Sequence, residues 1–293
     1  MVKSRNKKNL KKSHNSYKYI ASFCVIFAIF NFFIEKIANK NEGKNNPQIQ
    51  NIRFNQVQSY KHIIEIKKSL KKIVKNNFEN ISIQDKKKIF IANILPIIQS
   101  ANQDILDKRN LFFEIKKKIQ SNNLNVLEAL ILKKLFNEYK VKNNDLAELK
   151  KRIDIIPISL VIAQAAIESG WGTSRFAQEG NAYFGQKVIG TKVKGIRPIE
   201  SENPLIKVRT FENLNDSVKA YLNNINTHFA YKNFRKTRNE LRSFGKTLEG
   251  KILSNHLKKY SELGNEYIFN IQKIIEKNNL SKFDFIEYTS AQR

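Results

Sequence analysis

Cysteine is almost missing from this chain: Cys24 is the single one in 293 residues, so no intrachain disulfide can form and no disulfide framework holds the fold. Histidine is sparse too, and His14, His62, His228 and His256 are scattered without metal-ligand spacing or a His-Glu-x-x-His pattern. We therefore expect no metal and no cofactor. Acidic residues are few, 26 Asp and Glu against 53 Lys and Arg, leaving a formal net charge of +27. Such an excess attracts polyanions, among which nucleic acid, anionic lipid and a carboxylate-bearing cell wall all qualify. Lys, Asn and Ile are frequent along the whole chain, so charge alone selects no partner. What is present is 41% hydrophobic residues, enough for one or two domains with a proper core.

Charge is distributed unevenly at the N-terminus. Residues 1–18 carry Lys3, Arg5, Lys7, Lys8, Lys11, Lys12 and Lys18 and no acid, and an uncharged run from Tyr19 to Ile34 follows. No small-x-small cleavage site comes after it, and Ile37 and Ala38 extend it toward the ~20 residues that span a bilayer. The pattern predicts an uncleaved transmembrane signal anchor over 19–38. The basic tail 1–18 would then be cytoplasmic and the remainder extracytoplasmic, in a single-pass membrane protein.

Beyond the anchor, 39–58 is polar, with Gly43 and Pro47, and reads as a flexible linker. Region 59–144 reads as a helical stalk. Ile63, Ile66, Leu70, Ile73 and Val74 recur at helical spacing, and Asp85–Gln120 is a helix or helix pair in which Pro96 marks a kink or an early boundary. A further helix, from about Asn125 to Tyr139, carries Leu127, Leu130, Ile131, Leu135 and Phe136 on one stripe that should face a core. The segment 145–285 reads as the functional unit, with helices at Pro157–Ser169, Thr173–Glu179 and Leu214–His228, and 286–293 as a tail. Between Tyr183 and Phe211 the helical pattern breaks, and Leu205–Phe211 has the alternating, β-rich character of a strand. The fold class is thus α+β, mainly helical, with a small β-hairpin inserted.

The most informative stretch is Ala163–Lys187. Glu168 ends an otherwise uncharged helix just before a Gly170-Trp171-Gly172 break, where the two glycines stop the helix. Gln164 lies four residues earlier on the same helical face, and Trp171 follows within a turn, able to lay a flat ring beside the acid as the floor of a sugar subsite. An apolar surrounding and the negative end of a helix dipole both raise a carboxyl pKa, as a general acid requires. A helix-capping glutamate bound to backbone amides is the other reading that spacing leaves open.

The segment resembles the motif of the glucosaminidase superfamily of peptidoglycan hydrolases, in which an alanine-rich helix ends in Glu-Ser-Gly-Trp-Gly and an Asn-x-x-Phe-Gly turn follows. Here these are Glu168-Ser169-Gly170-Trp171-Gly172 and Asn181-Ala182-Tyr183-Phe184-Gly185. The Bax-type branch is the most similar part of that superfamily, over roughly two thirds of the chain from Asp85 onward. The resemblance implies a lysozyme-like catalytic domain and an N-acetylglucosaminidase that cuts the β-1,4 bond after GlcNAc in peptidoglycan glycan strands, with Glu168 as general acid. It also implies a second carboxylate at Glu200, with Glu202 beside it, from a Glu-x-Glu-Asn stretch, and a cleft tyrosine at Tyr231. Phe184 is expected in the core or the substrate site and Tyr183 along the groove, where relatives more often have Leu. Two rivals remain, a lytic transglycosylase and a catalytically silent wall-binding or scaffold protein. Nucleic acid is not the expected partner, because the chain has an export signal and lacks an aromatic-and-basic recognition motif.

Overall fold

The computed structural model describes residues 82–199 and 201–286. The basic tail, the anchor 19–38, the linker, the first part of the stalk and Glu200 lie outside the described residues. Among the described residues no helix is long and apolar enough to cross a membrane.

The described chain is mainly helical with one small sheet. Helix α1 spans Ile83–Gln120, with Ser82 as N-cap accepting from the Asp85 amide. Pro96 sits inside it, and of the two expectations, a kink or an early boundary, the boundary does not occur, since the helix neither ends nor splits there. An interior proline costs about 3 kcal/mol. Ile94, Leu95 and Ile98 are all buried beside it, and each contributes about 1.5–3 kcal/mol by leaving water, which outweighs that cost.

Helix α2, Val126–Glu138, starts from a capping box between Asn125 and Glu128. Its stripe corrects the expectation drawn from periodicity. Leu135 and Phe136 are core, but Leu127 and Leu130 are 66% and 58% exposed, because the face that carries them turns away from the core while Glu128 pairs with Lys118 of α1.

Helix α3, Leu146–Arg152, leads into α4, Ile158–Ser169, which is the centre of the fold. Leu160, Val161, Ile162, Ala163 and Ala165 are fully buried, as expected of a helix apolar on every face. Helix α5 is Arg175–Gly180. Strands β1 (Lys187–Ile189), β2 (Gly195–Ile196) and β3 (Ile206–Arg209) form an antiparallel sheet in the order β1-β3-β2, with Lys187 opposite Val208 and Ile196 also opposite Val208. The expected hairpin is therefore a three-stranded sheet whose middle strand is the last in sequence.

Helix α6, Leu214–Thr227, buries Val218, Tyr221, Leu222 and Ile225 at helical spacing. A 3-10 turn at Phe229–Tyr231, helices α7 (Lys232–Ser243), α8 (Gly250–Ser254) and α9 (Asn265–Lys277), and a second 3-10 turn at Leu280–Phe285 complete the chain. Helix α4 packs against α1, α8, α9 and the last 3-10 turn, while α1 also packs on α6, so the upstream helix shares one core with the segment after it.

Two devices hold α4 in place. At its start Pro157 supplies no side-chain cap, and α8 likewise lacks one at Glu249. Asp284 serves both helices instead, accepting from Ser159 N (2.8 Å), Ser159 Oγ (2.6 Å) and Gly250 N (2.9 Å). The helices approach so closely here that a Cβ on Gly250 would lie 2.1 Å from Ser159 Oγ. Before α4, Asp154 is buried among Arg109, Arg238 and Arg242. Those arginines also satisfy carbonyls left open after α3: Arg109 donates to Lys150 and Ile153, and Arg238 to Lys151, Asp154 and Ile155.

Candidate active site

Glu168 occupies the last turn of α4, and the chain then reverses through Gly170, Trp171 and Gly172, all three with positive φ (56°, 58° and 78°). The helix end places the carboxyl group at a groove of about 720 Å³, whose walls include Gly185, Lys187, Arg209, Tyr231, Tyr260 and Glu262. The side chain is half-buried, and its Oε1 accepts a hydrogen bond from the Tyr267 hydroxyl on α9 at 2.8 Å. Burial raises its pKa above the ordinary carboxylate range, opposed by the Tyr267 hydrogen bond and by the Lys187 charge.

The Asn-x-x-Phe-Gly turn builds the wall next to this acid. Asn181 adopts a left-handed conformation at the end of α5, and its side-chain amide donates to the carbonyls of Phe211 and Glu212 (both 3.1 Å). Phe184 is buried and stacks on Tyr221, with ring centroids 4.2 Å apart. Its carbonyl accepts from Tyr260 at 2.8 Å. Gly185, at φ 58°, then passes so near the acid that a Cβ would stand 2.6 Å from Glu168 Oε2.

Several expected residues fall in other places. Gln164 shares the face of Glu168 but is fully buried: it accepts from Tyr221 (2.5 Å) and donates to Tyr267 (3.0 Å), so it does not meet a substrate. Trp171 and Tyr183 are not groove-lining residues either. Both rings turn to Phe90 on α1, at 5.5 and 6.2 Å, and Lys87 lies over the indole, so no flat subsite floor forms beside the acid. Phe184 reaches the groove edge although its ring is core. Glu202 is exposed in the turn before β3 and does not line the groove.

Tyr231 does line it, 5% exposed. Burial pushes its hydroxyl up to about 12, offset by a hydrogen bond to Asn224 and reinforced by the Glu168 charge. Tyr231, Tyr221 and Tyr267 each neighbour Tyr260, the last stacked at 5.5 Å, so Glu168 faces a wall of phenols from four parts of the chain. Sequence reasoning missed Tyr221, Tyr260 and Tyr267. Tyr267 stands 99 residues beyond Glu168, and no local pattern links them. Across the groove Glu262 pairs with Lys187 at 3.6 Å, both well exposed.

A half-buried acid with a raised pKa, one oxygen held by a phenol and the other at a groove wall, has the arrangement of a proton donor to a bound ligand. Residues 143–280 match the glucosaminidase family model, described as mannosyl-glycoprotein endo-beta-N-acetylglucosaminidase. The chain is also 36% identical to Protein bax of Escherichia coli (strain K12) over 188 residues, which is 62% of this chain and 66% of that protein. No solved structure matches.

Proposed function

We propose that this protein is a glycoside hydrolase of cell-wall glycan, an N-acetylglucosaminidase that cuts the β-1,4 bond after GlcNAc in peptidoglycan, a reading supported by the match of residues 143–280 to the glucosaminidase family model and by the likeness to Protein bax. The observation that carries this reading is Glu168, a carboxyl group raised by burial and set at the groove with Oε2 against Gly185. In the reaction Glu168 protonates the glycosidic oxygen as the C–O bond breaks, and an oxocarbenium-like centre develops at the anomeric carbon. Tyr231 is the groove hydroxyl suited to orient the substrate's N-acetyl group or the incoming water. Glu200 is proposed as the second carboxylate on the resemblance alone. The anchor 19–38 would hold the domain outside the inner membrane, against its substrate.

One observation favours a second reading, a lytic transglycosylase. Among the described groove-lining residues the only carboxylate besides Glu168 is the exposed Glu262, and a single acid suffices for that chemistry. Mass spectrometry of muropeptides released by the full chain decides between them. Products with reducing-end GlcNAc support the hydrolase, and products ending in anhydro-muramic acid replace it. Glu168→Gln should slow release by about 10²–10⁴-fold, and undiminished release by that variant overturns both readings.

A further inference from the structure

We propose that Tyr221, Gln164 and Tyr267 form a buried relay, polarised toward Glu168, that keeps the acid's proton on Oε2, the oxygen beside Gly185, and that Tyr267 is thereby its positioning residue. The inference rests on Glu168 being the general acid.

The polarity follows from counting hydrogens. An ionised Glu168 has none to give, so the Tyr267 hydroxyl donates to Oε1 at 2.8 Å. That uses the only hydrogen of Tyr267, whose oxygen must then accept, and it does so from Gln164 Nε2 at 3.0 Å. With its amino end committed, Gln164 turns its carbonyl to Tyr221 and accepts that hydroxyl at 2.5 Å. Every hydrogen in the chain points toward the acid. Tyr221 and Gln164 are fully buried and Tyr267 is 2% exposed, so no water supplies a substitute partner. Placing the proton on Oε1 would require both hydroxyls and the amide to reverse together, whereas Oε2 accepts no hydrogen bond among the described residues. Gln164 is also the sole polar side chain in the middle of α4, between Ala163 and Ala165. Within this relay it has a reason to be there.

The titratable groups around Glu168 are Lys187 on β1, Tyr221 on α6, Tyr231 in the 3-10 turn, Tyr260 before α9 and Tyr267 on α9; the acid's charge raises the phenols, while Lys187 and Tyr267 lower the acid. Of these only Tyr267 donates directly to the carboxylate, and a donor stabilises the charged form. Removing it raises the pH at which Glu168 ionises.

The test is Tyr267→Phe in the full chain, which keeps the ring stacked on Tyr260 and deletes only the hydroxyl. Carboxyl-13C NMR of 13C-glutamate-labelled protein, with Glu168→Gln assigning the signal, should show the Glu168 titration moved up by about one pH unit. The alkaline limb of the pH–rate profile should move with it, since the acid must be protonated to act. Gln164→Met should give a smaller shift in the same direction. A folded Tyr267→Phe protein whose Glu168 titrates at the parent pH overturns the relay, because a merely structural tyrosine lowers rate and melting temperature without moving that midpoint. If Tyr267→Phe fails to fold, Gln164→Met decides by the same criterion. Should the protein cleave no glycan, the hydrolase reading fails while the NMR titration still judges the relay.

Discussion

Asp154 and Glu168 are carboxylates within one core, and the protein treats them in opposite ways. Burial by itself raises both. At Asp154 it is overridden by Arg109, Arg242 and Arg238, which bring the carboxyl group down to about 2. At Glu168 the neighbours are neutral phenols and an exposed Lys187 already paired with Glu262, so burial prevails and the pKa rises. The first arrangement holds a permanent anion that joins α1, α7 and the start of α4. The second leaves an acid able to give up its proton at a groove. Burial therefore does not distinguish a structural charge from a reactive one; the charge of the surrounding groups does.

The largest expected effect comes from removing the reactive member. Glu168→Gln should lower the rate of glycan cleavage by about 10²–10⁴-fold, with a melting temperature no lower than the parent's at neutral pH. Loss of folding in this variant would erase the distinction from Asp154.

Asp154→Ala should do the reverse, costing about 3–5 kcal/mol of stability by leaving buried guanidinium groups uncompensated, as measured by denaturant unfolding. The pH dependence has a defined sign. The folded value near 2 lies below the unfolded value of 3.8, so this stabilisation is present above pH 3.8 and is lost as pH falls toward 2. For Glu168 the folded value lies above 4.5, so its contribution is lost as pH rises through the raised value.

Gly185→Ala sharpens the contrast at smaller scale. The added methyl group meets Oε2 at 2.6 Å and a positive φ disfavours it, so activity should fall about 10–100-fold by displacement of the acid while stability drops by roughly 1 kcal/mol.

A third acid tests the rule itself. Asp284 has three donors and, among the described residues, no cation acting on it, and burial pushes it up to about 7 despite the donors. Its folded value exceeds 3.8, so stability should decline as pH rises from 3.8 through 7. Asp284→Asn, neutral throughout, should flatten that slope in thermal melts, and an unchanged slope would show that the donors, not burial, set this group.

The contrast between the two acids was only half legible beforehand. Glu168 was visible because it interrupts an uncharged helix next to Gly170, a local pattern, and Phe184 because its turn motif is local as well. Trp171 and Tyr183 were misplaced because their partner, Phe90, comes from a helix some 80 residues earlier, and aromatic rings take the first apolar surface that packing offers. Pro96 was read as a kink or an early boundary because the buried faces of Ile94 and Ile98 that hold the helix together cannot be read from neighbouring residues. The exposed Leu127 and Leu130 of α2 show the converse, apolar residues at helical spacing that the described core does not cover.

The chain alone determined those helix ends that carry a local cap, Ser82 and Asn125 among them, and turns such as Asn181, because a cap and the amide it serves lie within three or four residues of each other. Only the tertiary structure decided what Glu168 is able to do. Its ionisation depends on its burial and on Tyr267 and Lys187, brought to it from two other elements, and an electrostatic environment is a property of distance in space, to which separation along the chain gives no access.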